Sequence, residues 1–116
     1  MPPYLTTPGK TKLRLPRGAC DAHFHVFGPV RRFPYAPERG YTPEREAPKE
    51  TLFALHADLG VERGVVVQSA VHGSDHSAAA DLIAARPSAY RGVALVSPRI
   101  GEQALEALHA QGFRGA

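Results

Sequence analysis

Asp21, His23 and His25, within the run CDAHFHVFGP from Cys20 to Pro29, are the residues of this chain whose types and spacing lend themselves most directly to chemistry. Side chains on a strand alternate between faces. A strand here puts Asp21, His23 and His25 on one face and Ala22, Phe24 and Val26 on the apolar opposite face. Two imidazoles projecting together can ligate one divalent metal ion or polarise a carbonyl directly. Gly28-Pro29 then ends the strand in a loop where a substrate could enter. A His-x-His pair alone also arises from chance alternation and from ordinary structural histidines, so its meaning depends on the elements around it.

Those elements read as follows. A basic, proline-rich arm over residues 1–17, expected to be flexible and solvated, leads into a first strand at Ala19 to Phe27. A long loop from Gly28 to about Pro48 carries Pro29, Pro34, Pro37, Pro43 and Pro48, and loops of that length are usually functional or disordered. Leu52, Leu55 and Leu59 recur at helical spacing between Lys49 and Leu59, with Gly60 placed to end the helix. Val61 to Ala70 is a second strand, whose run Val65-Val66-Val67 predicts burial on both faces of a parallel sheet. Asp75 to Arg86 is an alanine-rich helix with Asp75 in its first turn and Pro87 just beyond its end. Arg91 to Val96 is a third strand. Gly101 to Gln111 is a third helix with Leu105 and Leu108 inward and Gly112 as its cap, and Phe113 opens a fourth strand.

Strict alternation of strand and helix argues for parallel strands joined by right-handed crossovers. Eight such units close a barrel in about 250 residues, so residues 18–116 are expected to be the front part of one, holding the first three and a half units. An unclosed parallel sheet leaves two strand edges and one apolar side uncovered, which predicts poor solubility or association of this stretch alone. The competing frame is a small open three-layer α/β domain. It lacks the glycine-rich phosphate loop after the first strand, because Gly28-Pro29 opens no helix.

With 43% hydrophobic and 22% charged residues among 116, the composition is that of an ordinary globular domain and excludes a disordered chain. Cys20 is the single cysteine, so no intrachain disulfide forms, a reducing cytoplasmic location is expected, and Cys20 reads as a small buried residue. No apolar run approaches the length of a membrane span, so no membrane partner is expected. The net charge of +3 owes much to Lys10, Lys12, Arg14 and Arg17. No aromatic residues interleave with them and no nucleic-acid module follows, so no nucleic-acid partner is expected.

The runs GACDAHFHVFGP (Gly18 to Pro29), FPYAPERGYTP (Phe33 to Pro43), LFALHADLG (Leu52 to Gly60), VVVQSAVHGSD (Val65 to Asp75), RGVALV (Arg91 to Val96) and ALHAQGFRG (Ala107 to Gly115) resemble, in matching order, the 2-pyrone-4,6-dicarboxylate lactonases. These belong to the amidohydrolase-related branch of the amidohydrolase superfamily. The resemblance implies an α/β fold, a distorted (β/α)8 TIM barrel with its active site at the C-terminal ends of the strands. It also implies hydrolysis of a carboxylated lactone in the bacterial breakdown of lignin-derived aromatics, with a small anionic lactone as the partner.

His23 and His25 match the family's first-strand pair. Many superfamily members bind zinc through this pair, whereas the pyrone dicarboxylate lactonases resemble metal-independent members whose histidines serve the substrate carbonyl and the attacking water. The resemblance thus implies either no cofactor or one divalent metal, such as zinc, on His23 and His25. Tyr41 matches a loop tyrosine whose phenol hydrogen-bonds substrate, and His72 matches a histidine just after the second strand. Ser69 stands one place from the family's substrate-binding serine: Gln-Ala-Ser there, Gln68-Ser69-Ala70 here. One step along a strand swings a side chain to the other face. His76 stands where the family has asparagine and receives no role, and His56 and His109 on outer helices read as structural.

Lactone hydrolysis needs a deprotonated water and a stabilised oxyanion. The superfamily's usual general base, a late aspartate, and the arginines that hold substrate carboxylates fall outside these 116 residues, so the chain alone is expected to be inactive. The alternatives are a metal-dependent hydrolase or decarboxylase of the same branch, or a non-catalytic truncated remnant. The oligomeric state is not legible.

Overall fold

The computed structural model describes residues 4–116, so the first three residues of the arm lie outside the described residues. The elements are β1 (Cys20–Phe24), α1 (Lys49–Leu59), β2 (Arg63–Val67), α2 (Ser77–Ala85), β3 (Tyr90–Val93), α3 (Glu102–Ala110) and β4 (Phe113–Gly115), with a 3-10 turn at Ala70–His72. The strands lie in the order β1-β2-β3-β4, every neighbouring pair parallel. Each of the first three strands stops short of its apolar run, because the following residues leave the ladder to build the loops at the C-terminal edge of the sheet.

One face of the sheet is packed against helices. Phe24, Val66, Leu82, Ile83, Tyr90 and Phe113 form the buried core, with Ala78 and Ala79 of α2 against them. Alanine lets α2 approach the sheet closely, and glycine on the strands makes room for the aromatic rings. A Cβ at Gly64 would stand 2.6 Å from a Phe24 ring carbon and 2.9 Å from Tyr90, and one at Gly92 would stand 2.5 Å from Phe113. Helix α1 ends where Gly60 takes a left-handed φ of 76° and its N–H returns to the helix carbonyls.

Several expectations change at the level of packing. The sheet-facing residues of α1 are Leu52, Phe53 and His56, and Leu55 and Leu59 are exposed. Moving from 55 to 56 turns the helix by about 100°, and the aromatic pocket under α1 selects His56. Leu108 packs on the core, but Leu105 is exposed along an open groove with Ala94 and Phe113 at the β4 edge. Gly64 and Val66 of β2 are buried while Val65 and Val67 are half-buried, since helices cover only one side of this sheet. Cys20 is exposed, because it opens β1 at the sheet edge.

The largest change concerns β1. Cys20 and Asp21 pair with Arg63 and Gly64, yet Phe24 pairs with Val66, so three steps along β1 match two along β2. This bulge inverts the alternation between Asp21 and Phe24. Asp21 therefore joins Phe24 on the α1 side, where both meet His56, instead of sharing a face with His23 and His25.

Residues 4–17 form no helix or strand. Tyr4 donates its hydroxyl to the Glu46 carbonyl at 2.6 Å, and Glu62 and Arg63 hold the peptide groups of Gly18 at the other end of the arm.

Candidate active site

His23 and His25 are exposed at the end of β1, their ring centroids 5.2 Å apart and their planes nearly perpendicular. His25 Nδ1 lies 2.8 Å from the carbonyl oxygen of Val67, the last residue of β2. A carbonyl only accepts, so Nδ1 carries the hydrogen and donates it. In the neutral imidazole this leaves the lone pair on Nε2, the atom remote from the backbone. The side chain of His23 makes no hydrogen bond among the described residues and keeps both ring nitrogens available.

The long loop is anchored at several points. Phe27 and Ala47 exchange backbone hydrogen bonds at its base, Phe33 is buried, and Ala36 N–H donates to the Val71 carbonyl at 2.8 Å. On the outer side Asp81 of α2 pairs with both Arg32 of the loop and Lys49 at the start of α1. The bond to Asp81 holds the Lys49 ammonium above its ordinary pKa.

His72 and Ser69 are inside this construction. His72 is 4% exposed; its Nε2 accepts the Gly28 N–H at 3.3 Å and its Nδ1 donates to the Pro34 carbonyl at 3.1 Å. Both ring nitrogens are thus committed to the loop backbone, with the Tyr35 ring edge-on at 5.2 Å. The Ser69 hydroxyl accepts the Val71 N–H at 3.2 Å and caps the 3-10 turn. Tyr41 is 58% exposed on the loop. The structure therefore brings His23 and His25 together, leaves Tyr41 open to solvent, and ties His72 and Ser69 into the scaffold. His56 and His76 are scaffold as well: His56 is buried under α1, and His76 Nε2 accepts the Leu95 N–H at 3.0 Å.

Two residues near this face were not singled out from the sequence. Gln68 donates its amide to the carbonyls of Gly73 and Asp75, both at 2.9 Å, closing the loop after β2. The Tyr35 hydroxyl is buried without a partner among the described residues, and burial raises its pKa. Nothing in their local spacing marks them, since their partners are set by loop geometry.

Zinc takes three or four protein donors. His23 and His25 provide two nitrogens, and no cluster of three or more His, Cys, Asp or Glu occurs among the described residues. These two residues alone do not complete a zinc site.

The sequence pattern of the family described as Amidohydrolase fits residues 20–116. The chain belongs to the amidohydrolase family. This amidohydrolase is 46% identical over 112 residues to a 2-pyrone-4,6-dicarboxylate hydrolase of Comamonas testosteroni, covering 97% of the chain and 36% of that protein. It is 51% identical over 69 residues to a 4-sulfomuconolactone hydrolase of Rhizobium radiobacter, covering 60% of the chain and 23% of the relative. Among solved structures it resembles an Agrobacterium tumefaciens protein, with a TM-score of 0.79 at 27% identity over 89% of this chain and 37% of that one. A probable 2-pyrone-4,6-dicarboxylic acid hydrolase from Acinetobacter baumannii, with citric acid bound, gives a TM-score of 0.75 at 26% identity over 83% and 35%. The chain thus spans about a third of the length of the curated relative it matches over most of its own length. Its parallel strands and helices are the corresponding part of an amidohydrolase (β/α)8 barrel. No helix among the described residues is long and apolar enough to cross a membrane.

Proposed function

We propose that this amidohydrolase forms the first part of a cytoplasmic lactonase that hydrolyses 2-pyrone-4,6-dicarboxylate or a closely similar anionic lactone. The observation that carries the reading is the 46% identity to the Comamonas testosteroni hydrolase across nearly the whole chain. The geometry of the pair supports it.

In lactone hydrolysis water gives up a proton as it adds to the ester carbonyl carbon, and the carbonyl oxygen becomes an oxyanion. Collapse breaks the ring C–O bond, leaving a third carboxylate on the dicarboxylate substrate while the departing ring oxygen takes up a proton as an enol. With Nδ1–H committed to Val67, the Nε2 lone pair of His25 accepts a hydrogen bond from the attacking water. An N–H of His23, 5.2 Å away between ring centroids, donates to the carbonyl oxygen as its charge develops. Tyr41, exposed on the loop, hydrogen-bonds the substrate. His72 acts through the loop it holds, and Ser69 through the 3-10 turn it caps. A metal bound through His23 and His25 would supply Lewis-acid activation of the same carbonyl, with its remaining ligands drawn from elsewhere in the protein.

The test is loss of pyrone absorbance with protein from the complete reading frame, before and after chelation and with metal content measured. Turnover of 2-pyrone-4,6-dicarboxylate is the expected result, and its absence with turnover of 4-sulfomuconolactone would move the substrate to the sulfonated class. That second substrate is favoured by the 51% identity over 69 residues. The 116-residue chain alone is expected to show no turnover, because it spans about a third of the length of the hydrolase it resembles and holds three and a half of eight barrel units.

A further inference from the structure

Behind the histidine pair, on the helix side of the sheet, runs a line of side-chain hydrogen bonds that this mechanism leaves unused. His56 and Tyr90 are each 1% exposed. His56 Nδ1 lies 2.8 Å from the Tyr90 hydroxyl, and Nε2 lies 3.1 Å from Asp21 Oδ2. The two rings are stacked within 6° of parallel, and Phe24 stands edge-on to both. The other carboxylate oxygen, Asp21 Oδ1, accepts the backbone N–H of His23 at 3.2 Å.

Chemistry sets the direction of each bond. A carboxylate only accepts, so His56 Nε2 carries a hydrogen and donates it to Asp21. The neutral imidazole then has its lone pair at Nδ1, and the Tyr90 hydroxyl donates into it. Burial raises the Tyr90 pKa, which keeps the phenol protonated and able to donate. The line therefore runs one way, from Tyr90 on β3 through His56 on α1 to Asp21 on β1, and ends on the peptide group of His23. Asp21 sits where the bulge begins, and the bulge is what turns Asp21 toward α1.

We propose that Asp21, His56 and Tyr90 are positioning residues for the histidine pair, holding the β1 bulge through Asp21's bond to the His23 peptide. The inference rests on reading His23 and His25 as the substrate-facing pair. Without the bulge, Asp21 would share their face and its carboxylate would sit beside the two imidazoles. With it, the two carboxylate oxygens are engaged by two donors, His56 Nε2 and the His23 peptide N–H. A small shift in the orientation of reacting groups costs far more in rate than in substrate binding.

The test uses the full-length protein, with hydrogen exchange resolved at single amides and with kcat and KM measured separately. Asp21→Ala removes both of the aspartate's bonds. It is expected to speed exchange at the His23 amide by about tenfold or more, with Val66 and Gly92 amides held within about twofold, and to lower kcat by about tenfold with little change in KM. Tyr90→Phe keeps the stacked ring and removes only the hydroxyl, and it is expected to move the same amide and kcat in the same direction by a smaller factor. Asp21→Asn, whose side-chain oxygen still accepts from His23, should recover part of the Asp21→Ala loss. A His23 amide unmoved in Tyr90→Phe overturns the proposal, as does a uniform rise at every amide in Asp21→Ala, which is loss of overall stability. If the wild-type protein hydrolyses no lactone, the function reading fails while the exchange data still decide the positioning role.

Discussion

His72 holds Gly28 through the backbone N–H of that residue, which reaches His72 Nε2 at 3.3 Å across 44 positions of sequence. The opposite ring nitrogen holds Pro34, so one buried imidazole fastens two points of the long loop to the turn after β2. An imidazolium has no lone pair at Nε2, so only the neutral ring can make both bonds.

Removing that ring leaves the Gly28 N–H and the Pro34 carbonyl without their partner. His72→Ala is expected to cost about 1–3 kcal/mol, the usual penalty for stranded buried polar groups, and to loosen the loop. Limited proteolysis should cut between Gly28 and Pro48 faster than in the wild type, and KM for the lactone should rise as the loop bearing Tyr41 loses its place.

The histidine pair makes a sharper demand on rate. His23→Ala removes the proposed oxyanion donor and should lower kcat by about 10²–10³-fold. His25→Ala should give a loss of similar order through the attacking water. Steady-state kinetics of each variant, with circular dichroism to show an unchanged fold, check both.

His76 gives a pH signature in stability. Burial lowers its pKa below the ordinary 6.5, and its Nε2 must be unprotonated to accept the Leu95 N–H. Below pH 6.5 the unfolded chain binds a proton at this site that the folded chain refuses, so stability falls as pH drops from there toward the folded value. His76→Gln keeps an acceptor for Leu95 without titrating. Its thermal midpoint should depend less on pH between about 6.5 and 5 than that of the wild type.

Lys49 carries the opposite sign. Its pKa is raised above 10.5 by the bond to Asp81, so its contribution is complete below that pH and is lost as the pH climbs through the raised value. Both side chains are about four-fifths covered, at 20% and 21% exposure, so this pair is screened less than a surface ion pair. Asp81→Asn is expected to destabilise the fold by about 1–2 kcal/mol at neutral pH and to remove part of the alkaline loss, as denaturant titrations below and above pH 10.5, at about pH 8 and about pH 11.5, would show.

The amino-acid order by itself determined the alternation of strands and helices, the bounds of α1, the parallel arrangement and the family. These follow from local signals: apolar periodicity, glycine and proline at element ends, and runs of matching residues. It also marked His23 and His25, whose separation by two keeps them on one face whatever happens upstream of them. Tertiary structure decided where Asp21 points, because a bulge depends on register against β2 and inverts an alternation that looks regular in one dimension. It decided that His56 and not Leu55 faces the sheet, since the pocket is made by Phe24 of β1 and Tyr90 of β3. It decided that His72 spends both ring nitrogens on backbone, that the Ser69 oxygen caps the 3-10 turn, and that His25 Nε2 makes no hydrogen bond among the described residues. The physical reason is range: the partners that direct His25, His56 and His72 lie 42, 34 and 44 residues away, beyond anything spacing along the chain can specify.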